Sequence, residues 1–376
     1  MSRLEMGGIE KTLLSCIPYL NEAGVEMSIL CSIGGELDEQ YRNLGVKLID
    51  FGDFKKPFKD AKFLEKILED NQFDIVHSRF GHTSGLFAKV CKKMKIPFLV
   101  SIHNERAMFK NGWKTNPLLK TLRACYLYYH KKLTIKYATK IIGHSKANLK
   151  YFFEDLAAKS ESGQVEVLYN GVDFSKFESF PELNSAKKQL LKDFISEAEK
   201  VIVHIGSFKE QKNHTFLLDI FKNLDPKANK YKLLLLGGGG LIDKIKHKVS
   251  SYGLENYVLF AGVESNIAPY LNVSDIFVFP SLYEGFGNVL IEAQYANLPI
   301  LASKIAPHYE ATSSVYHSYF FNPNDVEEGT KNLLKLIASD NSERIRVARN
   351  FSENFSIQEM AKNLLRIYNQ TCYYGK

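Results

Sequence analysis

Two glutamates, Glu284 and Glu292, flank a glycine-rich turn in the run Phe279-Pro280-Ser281-Leu282-Tyr283-Glu284-Gly285-Phe286-Gly287-Asn288-Val289-Leu290-Ile291-Glu292-Ala293. The pattern predicts a buried strand that ends in a turn and feeds a helix. Gly285 and Gly287 let the backbone approach a ligand closely, and N–H groups opening the helix, around Asn288 and Val289, favour an anion such as a diphosphate. Glu284 precedes the helix and Glu292 lies about one turn inside it. At ~1.5 Å rise per residue, that puts the second carboxylate roughly 6 Å beyond the anion. Carboxylates so spaced can hold hydroxyls on either side of a diphosphate. The plainer reading is an ordinary β–turn–α unit with one surface and one helix glutamate.

The elements that must position these residues follow from an alternation of short apolar, β-rich runs with longer amphipathic stretches, which predicts parallel strands with crossover helices. Strands are expected near Glu26 to Cys31, Val46 to Phe51, Phe73 to His77, Pro97 to His103, Lys140 to His144 and Val165 to Tyr169. A second series is expected near Val201 to Gly206, Lys232 to Leu236, Tyr257 to Phe260, Ile276 to Pro280 and Ile300 to Ser303. The fold class is therefore α/β, with two Rossmann-like, doubly wound domains and a cleft between them. At 376 residues the chain is longer than one hydrophobic core usually grows. Domains are expected over 1–173 and 174–355, divided after Tyr169-Asn170-Gly171-Val172-Asp173, where a strand run ends in turn residues. Over 356–376, Ser356 is a plausible N-cap for a helix carrying Ile357, Met360, Ala361, Leu364, Leu365 and Tyr368 on one stripe, and it should pack. Gly7-Gly8 opens a helical run with only Met1 to Met6 before it, so the first strand is expected to be short or missing. Either the sheet begins with a short irregular segment, or the sequence starts inside a longer natural chain.

Composition narrows the class. Hydrophobic residues at 45% and charged residues at 24% suit a globular enzyme. Five widely spaced cysteines without a C-x-x-C pattern point to a reducing cytoplasm and no structural zinc. No apolar run approaches the roughly 20 residues of a membrane span. The net charge of +7 is uneven: between Val76 and Phe153 the only acid is Glu105, against a basic series that includes Arg79, Lys93, Arg106, Lys110, Lys114, Lys120, Arg123, Lys131, Lys132, Lys136 and Lys140. With Phe109, Trp113, Tyr126, Tyr128 and Tyr129 interleaved, this stretch has the look of a surface for anionic lipid headgroups. Nucleic acid binding and plain solvated helix faces are the competing readings. No D-x-D pair and no histidine–carboxylate cluster of ligand spacing occurs, so no metal is expected. No G-x-S-x-G elbow suggests hydrolysis.

With these residues in view, the chain resembles glycosyltransferase family 4 over nearly its whole length, the GT-B class whose members carry an E-x7-E motif in this context. Glu284 and Glu292 match that motif. The resemblance implies that Glu284 contacts the donor sugar, Glu292 the ribose, and the backbone of Phe286, Gly287, Asn288 and Val289 the sugar and diphosphate. Ile205-Gly206-Ser207-Phe208-Lys209-Glu210-Gln211-Lys212 resembles the family's phosphate-binding segment, with Lys212 on its lysine and Ser207 where many members carry arginine; Lys209 or Arg106 is the expected substitute. Gly237 and Gly239 fall in its glycine-rich loop beside the nucleotide, and Gly262-Val263 in the segment that pairs with the base. Gly8 matches the N-terminal glycine loop, and His103, ending a strand at Ser101-Ile102-His103, the active-site histidine, with His77 and His82 as weaker candidates for the same cleft.

The implied function is retaining transfer of a sugar, of the hexosyltransferase class, from a nucleotide-diphosphate sugar to a glycan or lipid-linked acceptor. Bacterial surface polysaccharide assembly is the implied setting, in the cytoplasm or peripheral to the inner face of the plasma membrane, with neither cofactor nor nucleic acid partner. Assigned roles are catalytic for His103, Glu284 and Lys212. The alternatives are a nucleotide-sugar epimerase or glycan phosphorylase of related fold, or a non-catalytic partner of another transferase, the last motivated by Ser207 and the thin N-terminus.

Overall fold

Each expected β-rich run forms a strand in the computed structural model, which describes residues 3–5, 7–52, 56–103, 117–154, 163–178 and 183–374. The chain divides into two units, Met1–Gly171 with Ile357–Lys376, and Val172–Ser356. The terminal segment, expected as a separate element, thus belongs with the first unit.

In the first unit the strands are β1 (Ser28–Cys31), β2 (Lys47–Asp50), β3 (Val76–Ser78), β4 (Phe98–Ile102), β5 (Lys140–Gly143) and β6 (Val165–Val167), all paired in parallel. They form two sheets, β1-β2 and β3-β4-β5-β6. The split is a departure from a single Rossmann sheet. Among the described residues at the N-terminus, Arg3 forms a single parallel bridge with Ser32, and β1 and β3 are not paired with each other. A cavity of about 210 Å³ lies there, lined by Ser28, Ile29, Val76, His77, Phe98 and other residues.

The helix Ile357–Tyr374 packs by Ile357, Met360, Ala361, Leu364, Ile367 and Tyr368 against Cys16, Leu20, Leu99, Ile142 and Leu168. Ile367 therefore belongs to the buried stripe, whereas Leu365 is only partly buried at its edge. No described helix is long and apolar enough to cross a membrane.

The second unit is one parallel sheet of β7 (Lys200–Ile205), β8 (Tyr231–Leu236), β9 (Val258–Gly262), β10 (Ile276–Phe279) and β11 (Ile300–Ala302), in the order β11-β10-β7-β8-β9. Leu233, Leu234, Leu235 and Leu236 of β8, and all of β10, are buried, as near-continuous apolar runs covered by helices on both faces must be. The strand order reverses between β7 and β10, which are hydrogen-bonded neighbours. In open parallel sheets the crevice beyond the carboxyl ends of two such strands is where ligands bind.

Candidate active site

The loops leaving β7 and β10 meet at that reversal. After β7 the chain turns through Gly206 and Ser207 to the short helix Glu210–Lys212, and after β10 it passes Ser281 to Gly287 before the helix Asn288–Tyr295. Gln211 ties the loops together: its backbone carbonyl accepts from Leu282 N–H at 2.8 Å, and its Nε2 donates to the Tyr283 carbonyl at 2.9 Å. One residue further along each loop, Lys212 Nζ lies 2.5 Å from Glu284 Oε1. The pair is well enclosed, with side chains 15% and 9% exposed, and the ammonium lies 4.6 Å from the Phe279 ring centroid. Cation–π attraction and a charge-assisted hydrogen bond thus hold the lysine head in one place.

Glycines shape the walls. Gly237 has φ +138°, and a Cβ there would lie 2.2 Å from the Gly206 carbonyl oxygen, so the loops after β7 and β8 approach each other backbone to backbone. Gly239 is crowded in the same way against Phe208. Gly287, at φ +103°, is the N-cap of Asn288–Tyr295 and brings no side chain of its own to that end. Positive backbone dipole ends therefore accompany Lys212 on the same side of the sheet. Asn288, Val289 and Glu292 lie on this helix half-exposed. Phe286 is buried, 5.6 Å from the Phe355 ring, so only its backbone can meet a ligand. Ser207 is half-buried and Lys209 exposed. Val263 is 77% exposed, and a Cβ on Gly238 would meet its Cγ2 at 2.8 Å, placing it beside the glycine loop.

Three buried histidines beneath this cluster are not apparent from the sequence. His204 Nδ1 is 2.9 Å from the Val278 carbonyl and His308 Nδ1 is 3.0 Å from the Ser303 carbonyl. A carbonyl only accepts, so in both rings Nδ1 carries the proton. Burial, then His214, hold His204 neutral well below the usual range. Burial lowers His308 to about 3, and burial followed by Lys212 lowers His214 to about 4. These rings add no positive charge to the surroundings of Lys212. His204 lies on β7, His214 opens the helix His214–Asn223 and His308 lies in Ala306–Ala311, so each reads as an isolated polar residue in sequence and only the fold gathers them.

In the first unit, Gly8 is exposed at the start of the helix Gly8–Glu22. His103 follows β4 and stacks on His144, with centroids 4.1 Å apart and an interplanar angle of 14°. Burial is the main reason both are neutral, His103 well below the usual value and His144 at about 3; Arg79 and the neighbouring imidazoles act in the same direction on His103. His77 is held at both nitrogens, by Ser101 Oγ at 2.8 Å and Tyr368 OH at 2.9 Å, which gives it a structural place. His82 is buried among Tyr151 and Phe152. Arg106, the other expected stand-in for arginine, lies outside the described residues, as do Glu105, Phe109, Lys110, Trp113 and Lys114.

The basic series is less open than its sequence suggests. Lys131 is buried over the Tyr151 and Phe152 rings, Lys140 pairs with Glu166 at 2.8 Å and Lys93 with Glu65 at 2.5 Å. What remains exposed on the helix Pro117–Tyr137 includes Leu122, Tyr126 and Tyr129 at helical spacing, with Lys120, Lys132 and Lys136.

Residues 6–176 match the family model described as Glycosyltransferase Family 4, and residues 186–354 match Glycosyl transferases group 1. The chain is 26% identical over 375 residues to the capsular polysaccharide biosynthesis glycosyltransferase CapH of Staphylococcus aureus, covering 98% of this chain and 96% of that protein. It is 22% identical over 343 residues to the UDP-Gal:alpha-D-GlcNAc-diphosphoundecaprenol alpha-1,3-galactosyltransferase of Escherichia coli, covering 88% and 85%. Among solved structures, Anabaena Alr3699/HepE in complex with UDP-glucose is similar with a TM-score of 0.75 at 16% identity, covering 98% of each chain.

Proposed function

The chain belongs to glycosyltransferase family 4, with GT-B architecture, and from that premise we propose that it transfers a glycosyl group from a nucleotide-diphosphate sugar to a glycan or lipid-linked acceptor of surface polysaccharide assembly, with retention at the anomeric carbon. The observation that carries this reading is the enclosed Lys212–Glu284 pair at the β7/β10 reversal, beside the glycine-led start of Asn288–Tyr295. When the bond from the anomeric carbon to the diphosphate breaks, negative charge grows on the departing oxygen. A fixed ammonium and a helix N-terminus stabilise that charge more than the ground state, and that difference is what accelerates the reaction. Glu284 is assigned to the sugar hydroxyls and Glu292 to the ribose. The acceptor attacks from the face the diphosphate leaves, and the departing phosphate takes the acceptor's proton. His103, neutral through burial, is assigned to bond a hydroxyl rather than to supply charge. The wording of the relatives' names supports the donor and acceptor classes: one uses UDP-Gal and a diphosphoundecaprenol-linked sugar, another serves capsule synthesis.

We assign the positive charge of the site to Lys212 and the helix end, with no metal. Purified protein given UDP-, GDP- and ADP-sugars with polyprenyl-diphosphate acceptors is expected to release nucleoside diphosphate and form a new glycosidic bond, undiminished by EDTA. An epimerised nucleotide sugar, a sugar phosphate, or activity restored only by Mg²⁺ or Mn²⁺ would overturn the corresponding part of the proposal. Peripheral attachment to an anionic membrane is part of the same reading, carried by the exposed aromatic and basic residues of Pro117–Tyr137.

A further inference from the structure

Lys212 is already committed to a partner. Its Nζ lies 2.5 Å from Glu284 Oε1 inside an enclosure that screens neither charge well, and Gln211 bonds the two loops together immediately beside the pair. Removing one member of such a pair leaves the other as an uncompensated, poorly hydrated charge. A diphosphate that takes Lys212 therefore competes with Glu284 for the same ammonium, and success strands a carboxylate unless something else satisfies it. Sugar hydroxyls can do so, because a carboxylate accepts hydrogen bonds at both oxygens. A nucleoside diphosphate without the transferred sugar offers only its ribose hydroxyls, which are assigned to Glu292.

Building on the donor-site reading above, we propose that Glu284 acts as a positioning residue that makes the site select the nucleotide-sugar donor over the free nucleoside diphosphate, by holding Lys212 as a counter-ion and yielding it only when sugar hydroxyls take over the carboxylate. The product nucleotide, stripped of its sugar, meets a site in which the glutamate reclaims Lys212, which favours release. The juxtaposition is legible only in the fold, since the two residues are 72 positions apart.

The test compares nucleotide affinities by calorimetry in wild type, Glu284→Gln and the Lys212→Met/Glu284→Gln double variant, using UDP with UDP-glucose, GDP with GDP-mannose and ADP with ADP-glucose. In Glu284→Gln the free diphosphate is expected to bind on the order of tenfold tighter than in wild type, while the sugar nucleotide gains nothing, so the preference for donor collapses. The gain should vanish in the double variant. If it persists there, the glutamate merely repels phosphate directly and the counter-ion role is wrong. Unchanged diphosphate affinity in folded Glu284→Gln overturns this inference alone. Should none of the six nucleotides bind wild type, the donor-site reading fails and this inference with it. Glu284→Asp, which keeps the charge but shortens its reach, covers the case in which Glu284→Gln does not fold: diphosphate affinity above wild type supports the proposal, and affinity equal to wild type overturns it.

Discussion

At the scale of single residues, Glu284 and Glu292 occupy unlike environments, and their replacement should have unlike consequences. Glu284 is buried against Lys212, whereas Glu292 is half-exposed one turn inside the helix Asn288–Tyr295. Losing a hydrogen bond from a ribose hydroxyl to a carboxylate weakens binding by ~1.5–3 kcal/mol, or about 10- to 100-fold. Glu292→Ala is therefore expected to raise KM for the donor with kcat largely retained. Glu284→Ala removes the contact proposed for the reacting sugar together with the partner of the lysine, and kcat should fall by roughly 100-fold. Steady-state kinetics on both variants check this, and a folded double variant with wild-type rates would remove the pair from the mechanism.

At the scale of elements, the site depends on backbone segments that touch without side chains between them. Gly237 combines φ +138° with a Gly206 carbonyl 2.2 Å from where its Cβ would stand. Gly237→Ala must move one of the two loops, at a cost on the order of 3 kcal/mol. The melting temperature should drop by roughly 6–12 °C and donor affinity should fall with it, as differential scanning fluorimetry with and without nucleotide would show; an unchanged melting temperature would mean the loops are not packed this way. The helix Pro117–Tyr137 carries a different expectation. Leu122 is 58% and Tyr129 48% exposed, with Lys120, Lys132 and Lys136 close by in the helix. Each lysine near an anionic surface contributes ~1 kcal/mol, an attraction that salt screens. Co-sedimentation with phosphatidylglycerol vesicles should be strong at low salt, weaker at high salt and weaker still for Leu122→Ser/Tyr129→Ser; equal binding to phosphatidylcholine vesicles would point to apolar insertion, and no binding to either would reduce the helix to an ordinary solvated face.

At the scale of the whole molecule, both units bury neutral histidines, and this links stability to pH. His144 and His308 titrate at about 3 and His214 at about 4, with His77, His103 and His204 well below the ordinary value; in each case burial is the leading cause. A depressed histidine binds its proton in the unfolded chain before it does in the folded one. Below about pH 6.5 the unfolded state therefore holds more protons, and stability declines as pH falls, each such group contributing at most ~1.4 kcal/mol per pH unit. The decline should begin well above the carboxylate range. Thermal melts at pH 7.5, 6.5 and 5.5 would show it, and a flat profile across that interval would mean that these imidazoles are solvated.

How much of this was legible in the sequence differs from residue to residue, for physical reasons. Strand positions were readable because apolar runs bounded by turn residues such as Gly206, Gly237 and Pro280 have few other local solutions, and the E-x7-E spacing of Glu284 and Glu292 is itself a statement about one turn and one helix. Pairing between distant segments was not readable. Nothing local says that Lys212 meets Glu284, that His77 is bonded by Tyr368 from the far end of the chain, or that Lys131 and Lys140 leave the basic surface for aromatic rings and a glutamate. Nor could composition show that the first unit's strands part into two sheets, since that depends on which backbone edges find partners. The sequence by itself determined the periodicities and the local turn chemistry, because those are set by neighbours a few residues away. The tertiary structure alone decided which charges are committed to each other and which histidines stay neutral, because burial and ion pairing depend on what the rest of the chain brings within a few ångströms.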